Sequence, residues 1–153
     1  MKVKVLGAGS IGNHLSHAAR RLGWEVDLID IDPASLERAR NEIYPTRYGK
    51  WDEAIRLFTA DSAPKGGYDL IIVGTPPDSH IPLALSTLDE DPRALLVEKP
   101  VCTPDLEGAD ELVAKAKAKS CQLFVGYDHV VGAAADRVCA LRSEEHTSEL
   151  QSR

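Results

Sequence analysis

The chain has 153 residues, of which 43% are hydrophobic and 27% are charged, and its formal net charge at pH 7 is −6. These values are typical of one globular domain and exclude a collagen, a coiled coil and a disordered chain. The acidic balance argues against nonspecific nucleic-acid binding, which needs a basic surface. No segment approaches the ~18 consecutive apolar residues of a membrane span, and no signal-peptide pattern opens the chain, so we expect a cytoplasmic protein.

The cysteines and histidines predict no metal site. Cys102, Cys121 and Cys139 are an odd number and form no CxxC pair, which is typical of reduced thiols. His14 and His17 lie three residues apart on a predicted helix, but no third ligand follows at a matching spacing.

The N-terminal part of the chain alternates between strand and helix patterns. Apolar runs predict strands at 3–6 and 24–30, and 11–22 has helical periodicity. The residues expected on the buried face of that helix are Ile11, Leu15, Ala18, Ala19 and Leu22. Asp32 and Pro33 predict the start of a second helix that runs to residue 41.

The alternation continues beyond this β-α-β unit. Tyr44-Pro45 interrupts the pattern, 47–50 predicts a short third strand, and 52–59 has helical periodicity. The further predicted strands are 68–74, 94–98 and 122–127, and the further predicted helices are 81–88, 103–119 and 130–141. We therefore predict an α/β fold, a doubly wound and mainly parallel six-stranded sheet with helices on both faces.

A glycine-rich motif, Gly7 to Gly12 (GAGSIG), directly follows the first predicted strand and opens the first helix. In a dinucleotide-binding Rossmann fold the first glycine (Gly7) permits the tight turn, the second (Gly9) lets the backbone approach a pyrophosphate, and the third (Gly12) allows close packing. The N–H groups of the helix N-terminus, at Ser10 and Ile11, would then meet the phosphates. The alternative is a turn whose glycines serve geometry alone.

Asp30 ends the second predicted strand, eighteen residues after Gly12. A carboxylate there would accept hydrogen bonds from both hydroxyls of the adenosine ribose and would repel a 2′-phosphate, which favours NAD over NADP. Ile31 and Asp32 supply no compensating cation, and Asp32 is interpreted as a helix cap. FAD enzymes usually carry Glu at this point, and methyltransferases tend to use G-x-G-x-G, so both are less favoured.

Five segments, in this order, resemble the N-terminal domain of the Gfo/Idh/MocA family, which is named after glucose–fructose oxidoreductase and inositol dehydrogenase. They are GAGSIG (7–12), Asp30, GTPPDSH (74–80), EKP (98–100) and VGYDH (125–129). The resemblance covers residues 2 to about 141, and its specificity comes from the joint order of the motifs. It implies hydride transfer between a nicotinamide cofactor and a hydroxyl of a sugar, inositol or related polyol. A dinucleotide sensor without catalysis is the alternative.

The resemblance also implies roles for individual residues. It assigns Thr75, Pro76 and His80 to the lining of the cofactor cleft, and it gives Glu98 an orienting role there. It makes Lys99 the catalytic residue, beside the nicotinamide and the substrate. A strand-end lysine at this edge could stabilise a developing alkoxide, although a lysine extending into solvent is the alternative. The roles of Tyr127 and His129 stay open, since both could simply pack at the sheet edge.

Family members continue with a mixed α/β domain that supplies substrate contacts, most of the oligomer interface and usually a catalytic histidine. The resemblance therefore implies that residues 1–141 are a dinucleotide-binding domain that turns over little substrate by itself. Residues 142–152 match, without a mismatch, the translation of a common sequencing-library adapter. We expect 142–153 to be a non-native tail, disordered or helical. The alternative is a natural tail on a small stand-alone nucleotide-binding subunit.

Overall fold

The computed structural model describes residues 1–127, 132–133 and 135–141. Six strands, all paired in parallel, form one sheet in the order β3-β2-β1-β4-β5-β6. The strands are β1 (Lys2–Leu6), β2 (Glu25–Asp30), β3 (Ile55–Thr59), β4 (Leu70–Val73), β5 (Ala94–Glu98) and β6 (Gln122–Gly126). This confirms the predicted doubly wound sheet. The strand order reverses between β1 and β4, which is where such sheets bind ligands at the carboxyl ends of their strands.

Helices cover both faces of the sheet. They are α1 (Ser10–Arg21), α2 (Pro33–Arg38), α3 (Tyr44–Tyr48), α4 (His80–Thr87) and α5 (Ala109–Ala118). Ile72 of β4 packs into one hydrophobic cluster with residues of α1, α2 and α3, whereas its neighbours Ile71 and Val73 pack into a second cluster with α4 and α5. Alternate side chains of a strand point to opposite faces, so the apolar runs of the sequence supply both clusters.

Two charged side chains on the central strands are buried and paired. The Lys4 ammonium lies 2.6 Å from the Glu90 carboxylate, and the fully buried Asp27 accepts hydrogen bonds from Arg56 (2.7 Å) and from the Tyr68 hydroxyl (2.7 Å). Burial, together with the hydrogen bond to Asp27, raises the pKa of Tyr68 far above its ordinary value. Pairing offsets the cost of removing these charges from water.

The predictions for 44–59 are wrong. Helical structure continues past Tyr44-Pro45 to the end of α3 through a π-helical turn at Ala39–Ile43. Pro45 lies in the first turn of α3, where a missing N–H is tolerated. The third strand, β3, lies at Ile55–Thr59, so 47–50 is not a strand and 52–59 is not a helix. The sequence of β3, IRLFT, is rich in strand-forming residues, and the periodicity of such a short apolar run cannot distinguish a strand from a helix.

The buried face of α1 also differs from the prediction. Its buried residues are Gly12, Asn13, Ser16 and Ala19. Ile11 is 42% exposed and Leu22 is 64% exposed, so only part of the apolar pattern faces the sheet. Small side chains occupy this face because α1 leaves the glycine-rich turn in close contact with the strand ends.

Two predicted helices have different bounds or are described only in part. α5 begins at Ala109 rather than at 103, because Asp105 accepts hydrogen bonds from the Thr103 hydroxyl (2.6 Å) and from the Glu107 N–H (3.1 Å) and so forms a turn. Residues 135–141 are helical, as predicted. Residue 133 is also helical and 132 is a bend, whereas 130, 131, 134, His129 and the tail 142–153 lie outside the described residues.

The structure also bears on the membrane and metal predictions. No helix in the described part of the chain is long and apolar enough to span a membrane. The described residues contain no group of three or more His, Cys, Asp or Glu side chains placed to hold a metal ion. Cys102 and Cys121 form no disulfide among the described residues.

Candidate functional site

Two glycines of the motif are required by the packing of the protein itself. Gly7 has φ +99°, and a Cβ there would lie 2.8 Å from the carbonyl oxygen of Gly74 at the end of β4. A Cβ on Gly12 would overlap the carbonyl oxygen of Gly7 and lie 3.0 Å from its carbonyl carbon. The turn between β1 and α1 therefore closes tightly only when both side chains are absent.

Gly9 differs from these two glycines. Its φ is −75°, a value open to any residue, and apart from Gly9 and its chain neighbours no heavy atom of the described residues lies within 4 Å of the position that a Cβ would take. Nothing in the described residues therefore requires glycine at this position. A side chain would instead project into open space beside the N-terminus of α1, where a ligand could approach the backbone.

A residue that sequence analysis missed, Asn13, stabilises this turn from inside. It is fully buried, and its amide group donates hydrogen bonds to the carbonyl oxygens of Ala8 (2.8 Å) and Gly9 (2.9 Å). Two carbonyls of the turn are thereby satisfied within the protein. The available signal was a polar residue directly after the last glycine of the motif, on the face of α1 that the sheet covers.

Asp30 lies beside the glycine-rich turn. One carboxylate oxygen accepts a hydrogen bond from the Ala8 N–H (2.8 Å) and the other accepts one from the Asp32 N–H (2.9 Å). These bonds fix the orientation of the carboxylate, and each oxygen keeps acceptor capacity for a ligand. Sequence analysis assigned Asp30 and the glycine-rich turn to one site. In the structure, the parallel pairing of β1 with β2 brings the two together.

Arg47, to which sequence analysis assigned no role, also reaches the turn. Its guanidinium donates hydrogen bonds to the Ser10 carbonyl (3.0 Å) and to the Ser10 hydroxyl (2.8 Å). No motif points to this residue, because the contact spans 37 positions of the sequence and depends on how α3 packs against α1.

Aromatic rings hold α3 on α1. The His17 ring stacks on the Tyr48 ring, with a centroid separation of 3.8 Å and an interplanar angle of 2°. Ring nitrogens of His14 and His17 lie 2.8 Å and 3.0 Å from the hydroxyls of Tyr48 and Tyr44. The two histidines thus contact tyrosines. Burial, with the nearby charges of Arg21 and His14, lowers the pKa of His17 below its ordinary value of 6.5.

This lowered pKa makes stability depend on pH. Below pH 6.5 the unfolded chain binds a proton at His17 before the folded chain does, so the free energy of unfolding should fall as the pH drops through this range. We expect His17→Phe, which keeps a stacking ring, to show a flatter dependence between about pH 7.5 and about pH 5.5. Urea unfolding of both proteins at the two pH values measures this difference. Parallel pH profiles would contradict it.

The loops after β4 and β5 are joined through His80. The ring is 1% exposed, and its two nitrogens lie 2.6 Å from the Thr75 carbonyl oxygen and 2.8 Å from the Pro100 carbonyl oxygen. Both nitrogens are therefore occupied by backbone. His80 is thus buried between the two loops, whereas Thr75 is half-buried and Pro76 is exposed at the carboxyl ends of the strands.

Glu98 and Lys99 form the end of β5. The Glu98 carboxylate lies over Gly126 of β6, where a Cβ would be 2.5 Å from its oxygen, and it accepts a 3.3 Å hydrogen bond from the Lys99 N–H. The Lys99 side chain is exposed, and within 1–127 and the described parts of 132–141 no group bonds to its ammonium. Tyr127, which follows β6, is 55% exposed.

The predicted residues thus lie side by side along the edge of the sheet where the strands have their carboxyl ends. Asp30 ends β2, the glycine-rich turn follows β1, Thr75 follows β4, and Lys99 follows β5. This edge includes the strand-order reversal. The arrangement suits an elongated ligand that has a phosphate group near the middle.

Comparison with known proteins identifies the family. Residues 1–127 match the family GFO_IDH_MocA, described as an oxidoreductase family with an NAD-binding Rossmann fold. The chain belongs to the Gfo/Idh/MocA family. This confirms the resemblance, and it indicates a nicotinamide cofactor for the Gfo/Idh/MocA domain.

Individual relatives of the Gfo/Idh/MocA domain are longer than this chain. A glycosyl hydrolase family 109 protein from Shewanella woodyi is 29% identical over 134 residues, which are 81% of this chain and 27% of that protein. Two crystal structures of the UDP-N-acetylglucosamine 3-dehydrogenase GnnA from Acidithiobacillus ferrooxidans share the fold, with a TM-score of 0.72 and identities of 19% and 20%. They match 92% of this chain, which spans 41% and 43% of those two chains.

Proposed function

We propose that this domain binds NAD in preference to NADP, and that the protein transfers hydride between the nicotinamide and a carbon bearing a hydroxyl group in a sugar, inositol or related polyol. The observation that carries the cofactor proposal is the Asp30 carboxylate, oriented by Ala8 beside the open space at Gly9. Binding, orientation and electrostatics are the protein's part of such a reaction, and the bound nicotinamide supplies the hydride acceptor or donor.

The pyrophosphate is proposed to lie at the N-terminus of α1. The N–H groups of Ser10, Ile11 and Gly12 have no acceptor within the helix, and the helix dipole adds a partial positive charge at this end. Gly9 leaves room for the phosphates, whereas Gly7 and Gly12 keep the turn closed. The residues present therefore fit a diphosphate without any rearrangement of the turn.

The adenosine ribose is proposed to lie on Asp30. The two carboxylate oxygens of Asp30 each accept one backbone hydrogen bond, and each retains the capacity to accept another from a ribose hydroxyl. A 2′-phosphate would bring like charges into contact with this carboxylate, at a cost of about 1–4 kcal/mol for each charge pair. This is the physical basis for the proposed preference for NAD.

We assign the catalytic role to Lys99. Its ammonium is exposed at the carboxyl end of β5, next to the strand-order reversal, and is free to bond a ligand as far as the described residues extend. In this position it would donate a hydrogen bond to the reacting hydroxyl and stabilise the negative charge that develops on oxygen as hydride leaves carbon. Thr75, Pro76 and Glu98 are proposed to line the same cleft, with His80 positioning it from below.

The names of the relatives support a carbohydrate substrate. One is a dehydrogenase of UDP-N-acetylglucosamine and the other is a glycosyl hydrolase, so both names refer to sugar chemistry. We also propose that the complete enzyme is an oligomer, as the family resemblance implies. The 153-residue chain alone is proposed to bind the dinucleotide but to turn over little substrate, since it spans less than half of either dehydrogenase chain.

The substitution Asp30→Asn tests the cofactor assignment. It removes the charge but keeps the size of the side chain, so we expect the Kd for NADH to rise about tenfold, whereas the Kd for NADPH should fall because the repulsion of the 2′-phosphate is relieved. Asp32→Asn is the matched control, because Asn caps a helix as well as Asp does, and it should leave both affinities unchanged. Calorimetric titration of the three proteins gives the ratios. A wild-type preference for NADPH, or an unchanged NADH affinity in Asp30→Asn, would overturn the assignment.

A further inference from the structure

The contact between Arg47 and Ser10 places a cation at the glycine-rich turn. We infer that Arg47 is a further cofactor-binding residue, whose guanidinium pairs with the pyrophosphate of the dinucleotide bound at α1. This inference rests on the proposed function, since it assumes that a dinucleotide occupies the site.

The first observation is the geometry of the guanidinium. Two of its nitrogens each use one hydrogen on Ser10, at 3.0 Å and 2.8 Å, so its other N–H groups are available to an anion at the same place. Ser10 is the first residue of α1, where the helix presents its unpaired N–H groups. The planar fork of arginine suits phosphate oxygens in particular.

The second observation is that the helical turn that carries Arg47 is anchored by its neighbours. Along the sequence, Arg47 lies between Tyr44, which is 3% exposed, and Tyr48, whose ring stacks on the His17 ring. These contacts fix the helical turn that carries Arg47 against α1. The guanidinium therefore reaches the turn from an anchored backbone, which lowers the entropy that it would lose on binding a phosphate.

The third observation is the charge around the turn. Among the described residues, the charged groups that hydrogen-bond to residues 7–12 are the Asp30 carboxylate, at Ala8, and the Arg47 guanidinium, at Ser10. The dinucleotide has anionic phosphates at one point and neutral ribose hydroxyls at another. A cation at the helix N-terminus and an anion at the end of β2 match these two points, which favours the pyrophosphate over a 2′-phosphate as the partner of Arg47.

The test compares Arg47→Ala with Arg40→Ala in the full chain. Arg40 lies in the same helical segment and pairs with Glu53, so its removal changes the net charge equally but away from the site. We expect Arg47→Ala to raise the Kd for NADH and for ADP-ribose by about tenfold each, because both ligands contain the pyrophosphate, and to leave the ratio of NADH to NADPH affinity unchanged. Arg47→Lys should fall between wild type and Arg47→Ala, and Arg40→Ala should match wild type.

The outcomes separate this inference from the proposed function. Wild-type protein that binds neither NADH nor NADPH would refute the proposed function itself. Wild-type binding with an unchanged NADH affinity in Arg47→Ala would refute the role of Arg47 alone. A loss confined to NADPH would assign Arg47 to a 2′-phosphate and overturn the inference. Melting temperatures of the two alanine variants, measured without ligand, show whether a loss of binding reflects a loss of folding.

Discussion

The substitution Gly12→Ala is expected to destabilise the domain by about 3 kcal/mol or more and to abolish cofactor binding. The new methyl group would overlap the Gly7 carbonyl oxygen, and neither partner can move freely. Gly7 is held by a 2.8 Å hydrogen bond from its N–H to the Ile29 carbonyl, and Gly12 lies in the first turn of α1. A thermal melt should show a decrease in Tm of roughly 10 °C for a domain of this size.

The substitution Gly9→Ala is the matched comparison, because it adds the same methyl group where, beyond the adjacent residues, no atom of the described part of the chain lies within 4 Å. We expect its Tm to stay within about 2 °C of wild type. The affinity for NADH should nevertheless fall at least about tenfold, since the methyl group would occupy the approach of the pyrophosphate. Equal effects of the two substitutions on Tm would contradict the difference in packing, and full NADH affinity in Gly9→Ala would show that the open space at Gly9 is not the cofactor site.

The substitution Lys99→Ala is expected to reduce kcat of the complete gene product by about 10²-fold or more with a sugar or polyol substrate. The loss follows from removing the cation that we propose to stabilise the developing alkoxide. Because the Lys99 side chain makes no bond to the described residues, the substitution should leave the fold and the Kd for NADH close to wild type. Steady-state kinetics and NADH titration of the same preparation separate the two effects.

Two further variants sharpen this test. Lys117→Ala removes an exposed lysine near the C-terminus of α5, away from the carboxyl ends of the strands, and should leave kcat unchanged. Lys99→Arg keeps the charge but changes the geometry of the donor, so it should retain only part of the activity. Full turnover by Lys99→Ala would refute the catalytic assignment. The absence of turnover by the complete wild-type gene product with any sugar or polyol, together with intact NADH binding, would favour the dinucleotide sensor.

Sequence analysis predicted the sheet well because its evidence is local. Strands rich in apolar residues stand out as short runs, and this pattern identified β1, β2, β4 and β5, and also the more exposed edge strand β6, with bounds close to those observed. The glycine motif at 7–12 and the acid at position 30 were likewise recognised from short segments of the sequence. The predictions failed at 44–59 and at the start of α5, where short turns and helical turns are held by side-chain contacts that periodicity does not record.

The amino-acid sequence alone determined the alternation of strands and helices, the tight turn at Gly7 and Gly12, and the family to which the domain belongs. These follow from side-chain patterns and from backbone conformations that a few neighbouring residues control. Only the tertiary structure decided that Asn13 secures the turn, that His80 joins the loops after β4 and β5, and that Arg47 reaches Ser10. His80 and Arg47 each join elements that are separate in the chain. Asn13 acts on the glycine-rich turn only because the packing of α1 buries its side chain against the sheet.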